Sequence, residues 1–460
     1  VNTSETFDLV VLGAGIAGLT TATAAAERGL RVALVEKTEA VGGSSAMSGG
    51  WFAFSGTPEQ DAAGVDDSAE LFLQDMLEVG EHRNDKTLLD AYLARQEQAA
   101  AWLRDHGAVF TQVEISSGQS AKRSHLSDIK DVLAKLHAAF EVAGGTSYLG
   151  HRATRLVVEG ERVVGVQIEA ADGILELHSR GGVVIATGGF SRGSEMLKVF
   201  APDQLAAIPY GGKGNTGDGL RMAWRLGAGM ADMSFVSGTY GSHPDTTDEF
   251  HELLTAYYLG AIIVNQSGER FTDEAQSYKT LGREVLKQQD GLGYQIFDAT
   301  VRAKSERGVP LKDMDTLEDI GHLHRADTLA ELADIIGVDA DALAATVEAY
   351  NRVVGGETVD PQGRTSLCNG VGELKPIAQA PFFAYPAKSL MTTTYCGVTI
   401  TPQGEVTNVD GEVIDGLYAV GEVTGGFHGA AYMTGTSLGK GAVFGNIVAE
   451  TVATRLGESQ

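Results

Sequence analysis

Three glycines carry the first chemistry that can be read in this chain. In GAGIAG, Gly13, Gly15 and Gly18 follow an apolar run from Phe7 to Leu12 and precede a proline-free, Ala-rich stretch from Leu19 to Glu27. The first glycine permits a tight turn, the second lets a pyrophosphate approach the backbone, and the third lets a helix pack on a strand. N–H groups of the helix's first turn then face the phosphates. A second apolar run, Arg31 to Val35, ends at Glu36, whose carboxylate suits a ribose diol and disfavours a 2′-phosphate. A glycine turn alone would say little. Strand, turn, helix, strand and terminal acid together point to an adenine dinucleotide.

Four more stretches could hold the rest of such a ligand. Gly42, Gly43, Gly49 and Gly50, interleaved with Ser44, Ser45 and Ser48, form a loop whose N–H and hydroxyl groups can wrap a pyrophosphate and approach a flat ring. A nicotinamide dehydrogenase needs no second loop of this kind, whereas a protein that encloses FAD often has one. Ala186-Thr187-Gly188-Gly189 ends a buried strand within 181–190, and Asn215, Thr216, Gly217, Asp218 and Gly219 stand before a helix, either as caps or as bonds to a flavin edge. Leu417 to Val420 reads as another buried strand, ending at Gly421-Glu422, where a carboxylate can hold a ribityl hydroxyl. Thr436, Ser437 and Leu438 open the last helix, whose positive end can face the N1/C2=O side of a reduced flavin. Ile16, Ala17, Lys37, Ala153 and Gly435 complete the expected cofactor contacts.

The rest of the chain must position these loops. At 460 residues it exceeds what one compact core usually holds, so two domains are expected. Its 59 glycines against 10 prolines suit a backbone that lies close to a long ligand at many points. Residues 68–107 and 126–142 carry helical patterning, and Ser116 to His125 reads as loop. Short alternating runs from Arg155 to His178 read as a β-meander with turns at Glu159-Gly160 and Asp172-Gly173. Residues 236–372 break the nucleotide-sheet pattern, with a turn at Ser267-Gly268 and one helix from Thr328 to Asn351; strands and glycines return from Pro381. The expected architecture is α/β: a Rossmann-like nucleotide domain in two parts, 1–235 and 373–460, with 236–372 inserted as a second domain.

A net charge of -26 repels nucleic-acid phosphates and anionic lipid, so neither is an expected partner. Cys368 and Cys396 are the only cysteines, without CxxC or CxxCH, which leaves a zinc knuckle, an iron–sulfur cluster and a c-type haem unsupported. They read as free thiols in a reducing cytoplasm. No export signal precedes the first strand and no apolar run reaches membrane-span length, so a cytoplasmic protein without membrane insertion is expected. Glu81, His82 and Arg83, like His322 and His324, lack a metal-ligand pattern and are expected in solvent; no metal is expected. The sequence sets no oligomeric state.

GAGIAG with Glu36, GGSSAMSGG, ATGGF, NTGDG, GERFTDE, GLYAVGEVTGG and GTSLGKG, in this order, resemble the fumarate reductase/succinate dehydrogenase flavoprotein superfamily. The resemblance implies FAD in a two-part, glutathione-reductase-like domain, with an inserted α+β capping domain. The loop from Ser44 to Gly50 has no histidine, so the FAD is expected to be non-covalent. Fumarate reductases of this type carry RFxNE with a proton-donating Arg four positions after the Glu; here Arg270-Phe271-Thr272-Asp273-Glu274 leads to Tyr278. Their HHTMGG stretch, with a carboxylate-binding His, corresponds to Thr392-Thr393-Thr394-Tyr395-Cys396-Gly397. Their GGVHGANRLGGN, with a carboxylate-clamping Arg, corresponds to GGFHGAAYMTGTSLG, with Tyr432 and Met433 in place of Asn-Arg. A dicarboxylate would lose several charge-assisted hydrogen bonds, each worth roughly 1.5–3 kcal/mol.

These replacements are similar to those of the flavin-dependent 3-ketosteroid dehydrogenases, above all the Δ4-type, in which Tyr432 matches the catalytic Tyr of a G-G-Y-x-S-G-x-S-L-G stretch and Thr434 stands at its Ser. The resemblance implies desaturation of a cyclic ketone, a 3-ketosteroid or a smaller ring such as 4-oxocyclohexanecarboxylate, with electrons passed to an acceptor that the sequence does not identify. Tyr278 would take the α-proton, Tyr432 O–H and Gly435 N–H would polarise the carbonyl, and Thr434 would relay. Trp51, Phe52, Phe54, Phe235, Tyr240 and Tyr395 are the expected pocket lining, while His428 is expected to be structural. Two other readings remain: a C=C reductase of an unsaturated acid, marked by an Arg or Lys above the flavin, and a flavin-holding binding module, marked by a sealed flavin face.

Overall fold

The structure, a computed structural model, describes residues 4–170, 173–236, 238–247 and 253–458. The expected turn at Asp172-Gly173 falls partly outside the described residues.

The dinucleotide motif organises a six-stranded sheet, in the order 405–407, 413–419, 183–185, 9–12, 32–35 and 146–148. All pairings are parallel except that of the edge strand Glu405–Thr407. Leu9–Leu12, Val32–Val35 and Val183–Ile185 are buried on both faces, which is why they are continuous apolar runs rather than alternating ones. The run from Phe7 to Leu12 is not one strand. Ser4–Phe7 pairs with the meander strand Gly173–Ser179, and the chain changes sheets at Asp8, whose carboxylate accepts from Arg31 N–H at 2.8 Å and pairs with Arg180.

Ile16–Glu27 lies under this sheet against the last helix, Thr436–Glu458. Glycines in the last helix make the approach possible: a Cβ at Gly441 would sit 2.8 Å from Ile16 Cγ2, and one at Gly445 2.9 Å from Thr20 Cβ. First and last segments are thereby fixed to one another at the mouth of the glycine turn.

A second sheet runs 208–209, 382–391, 293–298 and 262–264, with 239–242 and 324–326 also paired to 382–391. Phe382–Met391 is its spine, antiparallel to Gly293–Asp298 from Gly293↔Ala387 to Asp298↔Phe382. The boundaries expected at 235 and 372 therefore do not coincide with the edges of this sheet, which takes strands from both flanking segments. A strand's own residues show that it is buried, not which sheet buries it. The helix expected from Thr328 to Asn351 is two, Leu329–Ile336 and Ala340–Val354. Gly337 ends the first at φ 70°, and the Asp339 side chain caps the second through Ala342 N–H.

His322 and His324 are half-buried rather than solvated, and the His322 ring is stacked 3.7 Å from that of His243 at 6°. Cys368 and Cys396 are buried free thiols. Among the described residues, no helix is long and apolar enough to cross a membrane.

Candidate active site

A cavity of about 660 Å³ runs from the glycine turn to the aromatic core of the second sheet, lined by residues from both sheets. At its nucleotide end the local chemistry is tightly set. Gly13 has φ 101°, and a Cβ there would lie 2.3 Å from Ala186 O, so only glycine fits. A Cβ at Gly18 would sit 1.8 Å from Gly13 O, which is the helix-on-strand contact required of the third glycine. Glu36 closes the strand with its carboxylate fixed, Oε2 accepting from Ala14 N–H and Oε1 from Thr38 N–H, each at 2.9 Å.

The serine and glycine loops converge on the same wall. Ser45 Oγ accepts from Ile16 N–H at 3.1 Å, and Ser44 Oγ accepts from Gly212 N–H at 2.9 Å and from Asn215 Nδ2 at 3.1 Å. Glu422 is bound at both oxygens, by Thr394 N–H at 2.8 Å and Asn215 Nδ2 at 2.9 Å, while burial raises its pKa. Lys37 Nζ donates to Thr216 Oγ1 at 2.8 Å and pairs with Asp218 at 2.9 Å; Arg152 holds the other Asp218 oxygen at 3.0 Å. Burial opposes ionisation of Asp218, yet Arg152 and Lys37 hold its carboxyl below the ordinary value. Thr216 and Asp218 are thus engaged by cations at the helix start. Thr187 Oγ1, on the cavity wall, is buried without a hydrogen-bond partner. Such an orphan, beside a backbone cradle that a Cβ would fill, fits a bound dinucleotide.

At the other end three phenols meet. Tyr278 begins the helix Tyr278–Leu286, whose N-cap Ser277 donates from Oγ to Tyr432 O at 3.0 Å and so ties the two tyrosine segments together. Thr434 Oγ1 donates to Tyr278 Oη at 3.0 Å, and Gly435 N–H donates to Tyr432 Oη at 2.9 Å. The rings of Tyr278 and Tyr432 are 6.0 Å apart at 35°, and Tyr395 stacks on Tyr432 at 4.3 Å and 9°. Burial raises the pKa of all three; for Tyr432 the N–H groups of Gly435 and Ser437 pull against it. The expectation that Gly435 N–H would address a substrate carbonyl is corrected, because it is turned onto Tyr432. Its effect is to make that phenol a better donor.

Several expected contacts are displaced. Of the expected cofactor contacts, Gly18, Gly42, Gly50, Thr216 and Gly435 do not line the cavity. Among the expected pocket aromatics, Trp51 and Tyr395 line the cavity and four do not. Phe52 and Phe54 are fully buried and stack on one another at 5.9 Å; Tyr240 packs on Tyr257 at 5.8 Å; Phe235 sits under Arg83 at 5.4 Å. Tyr210, Leu253, Pro310, Leu311 and Leu390 take their place. They come from loops and strands without a motif, so only the fold identifies them.

Among the described residues, no arginine lines the cavity, and the lysines that do, Lys37, Lys130 and Lys213, come from the nucleotide half. The nearby buried guanidiniums are otherwise committed. Arg270 pairs with Glu274 at 2.6 Å and Asp360 at 2.9 Å, while Arg364 pairs with Glu274 at 3.3 Å and donates to Tyr257 O at 2.7 Å. The cationic residue that the sequence did not single out is Lys279, 1% exposed, with Nζ 4.6 Å from the Tyr395 ring centroid. A lysine beside a tyrosine at a helix start reads as a solvated charge until the fold encloses it.

Comparison with known proteins identifies the family. The family described as an FAD binding domain matches residues 8–438. The chain is 31% identical to an NADH:fumarate oxidoreductase of Klebsiella pneumoniae, over 98% of this chain and 48% of that protein, so it spans about half of that relative's length. It superposes with a TM-score of 0.79 on the open conformation of a flavocytochrome c3 fumarate reductase, at 30% identity over 98% of this chain and 78% of that one. It superposes equally, at 0.79, on a 3-ketosteroid-Δ4-(5α)-dehydrogenase from Rhodococcus jostii RHA1, at 26% identity over 98% of this chain and 97% of that one. With a dinucleotide cradle at one end of the cavity and a cluster of tyrosines at the other, the chain is an FAD-dependent oxidoreductase and belongs to the FAD-binding family of the fumarate reductase/succinate dehydrogenase flavoprotein superfamily.

Proposed function

We propose that this oxidoreductase desaturates a cyclic ketone to its α,β-unsaturated form, the substrate being a 3-ketosteroid or a smaller cyclohexanone such as 4-oxocyclohexanecarboxylate. The observation that carries this reading is the pairing of two phenols with two dedicated partners, Thr434 on Tyr278 and Gly435 on Tyr432, in a cavity wall that among the described residues has no arginine.

Tyr432, with its oxygen fixed by Gly435 N–H, presents its own O–H to the ketone oxygen and stabilises the enolate charge that develops there. That charge makes the neighbouring Cα–H acidic, and Tyr278, acting as its phenolate, takes the proton and becomes the neutral phenol. A phenol with an ordinary pKa of about 10, raised further by burial, is a poor base at rest; the Thr434 hydroxyl aimed at its oxygen favours the phenolate. FAD, when bound, supplies the acceptor for the hydride that leaves the β-carbon. One proton and one hydride depart, and the Cα–Cβ bond becomes double. The aromatic walls exclude water from the enolate.

Similarity to the Rhodococcus enzyme over nearly its whole length supports this reading. Similarity to the Klebsiella NADH:fumarate oxidoreductase favours a second, reduction of a C=C bond in an unsaturated acid. An acid of that kind needs cationic partners, and the arginines that could serve are spent on Glu274 and Asp360. Anaerobic mixing of the yellow protein with a panel of cyclic ketones and with succinate separates the two: flavin bleaching by ketones alone supports desaturation, and bleaching by succinate ends it.

A further inference from the structure

We propose that Lys279 is a positioning residue of the tyrosine cluster, whose ammonium holds Tyr395 against Tyr432 and stabilises the negative charge these phenols take up from a polarised oxygen in the site. The proposal rests on the desaturase reading for its chemistry, though its test does not require turnover.

The geometry is direct. Lys279 Nζ lies 4.6 Å from the centroid of the Tyr395 ring, and that ring is stacked at 4.3 Å and 9° on Tyr432. A desolvated ammonium over a phenol ring is attracted by its π-face and favours negative charge on the phenol system. Lys279 does not line the large cavity. It borders a small space behind it, with Asp232, Phe235 and His428, so Tyr395 stands between the ammonium and the substrate region. Its influence therefore reaches the reacting oxygen through Tyr395 and Tyr432 and not by contact. Because Lys279 follows Tyr278 on one helix turn, the same segment delivers the proposed base and the cation.

Tyr395 itself has φ 54°, a left-handed conformation that is unfavourable for a non-glycine residue and persists only where surrounding contacts fix it. The Lys279 and Tyr432 contacts grip this residue from its ring. Glu422 attracts the charge of Lys279, Asp232 borders the same space, and His428 is kept neutral by burial and by Lys440 and Lys279. Lys440 is occupied with Thr424 O at 3.0 Å. Burial lowers the pKa of Lys279 to about 7, so its ammonium predominates about one unit below neutrality and is lost as pH rises through neutrality.

The test uses 4-nitrophenol, whose ionisation is visible by absorbance, as a probe of anion stabilisation in the FAD-bound protein below pH 7. Lys279→Met is expected to raise the apparent pKa of the bound probe by about one unit, a tenfold loss of phenolate. Lys279→Arg, which keeps the charge, is expected to restore most of it. Equal ionisation in the wild type and Lys279→Met, an arginine variant that behaves like methionine, or no binding by the wild type would overturn the proposal. A wild type that shows the Lys279-dependent shift but is bleached by no cyclic ketone would uphold it and end the desaturase reading instead.

Discussion

Thr434 Oγ1 and Tyr278 Oη, 156 positions apart in the chain, are joined by a 3.0 Å hydrogen bond at the junction of the two sheets. The hydroxyl donates and the phenol accepts, which favours the phenolate and gives Tyr278 its character as a base. Tyr278→Phe is expected to keep FAD and lose ketone turnover by about 10²–10⁴-fold. Thr434→Val is expected to cost roughly tenfold and Thr434→Ser little. Steady-state rates on one cyclic ketone, beside the flavin absorbance of each variant, check this; equal rates for valine and serine would remove the threonine from the mechanism.

Tyr432 is fixed from the other side by Gly435 N–H at 2.9 Å. Losing the phenolic donor is expected to lower kcat by about 10²–10³-fold in Tyr432→Phe, as for other single donors to a developing oxyanion. A change confined to KM would show instead that Tyr432 only binds the substrate.

Gly13→Ala should give a protein with little flavin. Its φ of 101° and the 2.3 Å approach of a Cβ to Ala186 O leave no way to keep both the turn and the strand beneath it. The flavin-to-protein absorbance ratio measures the loss, and an undiminished ratio would contradict the cradle described.

Glu274 is fully buried between Arg270 and Arg364. Glu274→Gln leaves two buried guanidiniums short of charge and is expected to destabilise the fold by about 3–5 kcal/mol. Denaturant unfolding checks the magnitude. A stability loss below about 1 kcal/mol would mean that Asp360 alone balances both arginines.

Burial, with a contribution from His322, lowers the pKa of His243 to about 4. Unfolding restores the ordinary value near 6.5, so the unfolded chain takes up the proton first. Stability is therefore expected to fall as pH drops from about 6.5 toward 4, and His243→Gln should flatten that slope. Melting temperatures across this range test it; an unchanged slope would assign acid sensitivity to other groups.

The cofactor half of this protein could be read from its sequence because its determinants are local. Gly13, Gly15 and Gly18 act within one turn, Glu36 ends the strand next to it, and residues buried on both faces leave continuous apolar runs. Two elements defeated local reading. Phe382–Met391 looks like any buried strand, and its membership of the second sheet follows only from pairing with residues about ninety positions earlier. Phe52, Phe54 and Tyr240 look like pocket lining, but aromatic character does not encode direction, and these rings turned into the core. Tertiary structure alone brought Thr434 Oγ1 onto the Tyr278 phenol, tied Arg270 to Asp360 and Arg364 to Glu274, and buried Lys279 beside Tyr395. Backbone turns are set by neighbours in sequence; the charge and hydrogen-bond partners of a buried side chain are set by whatever the fold brings against it.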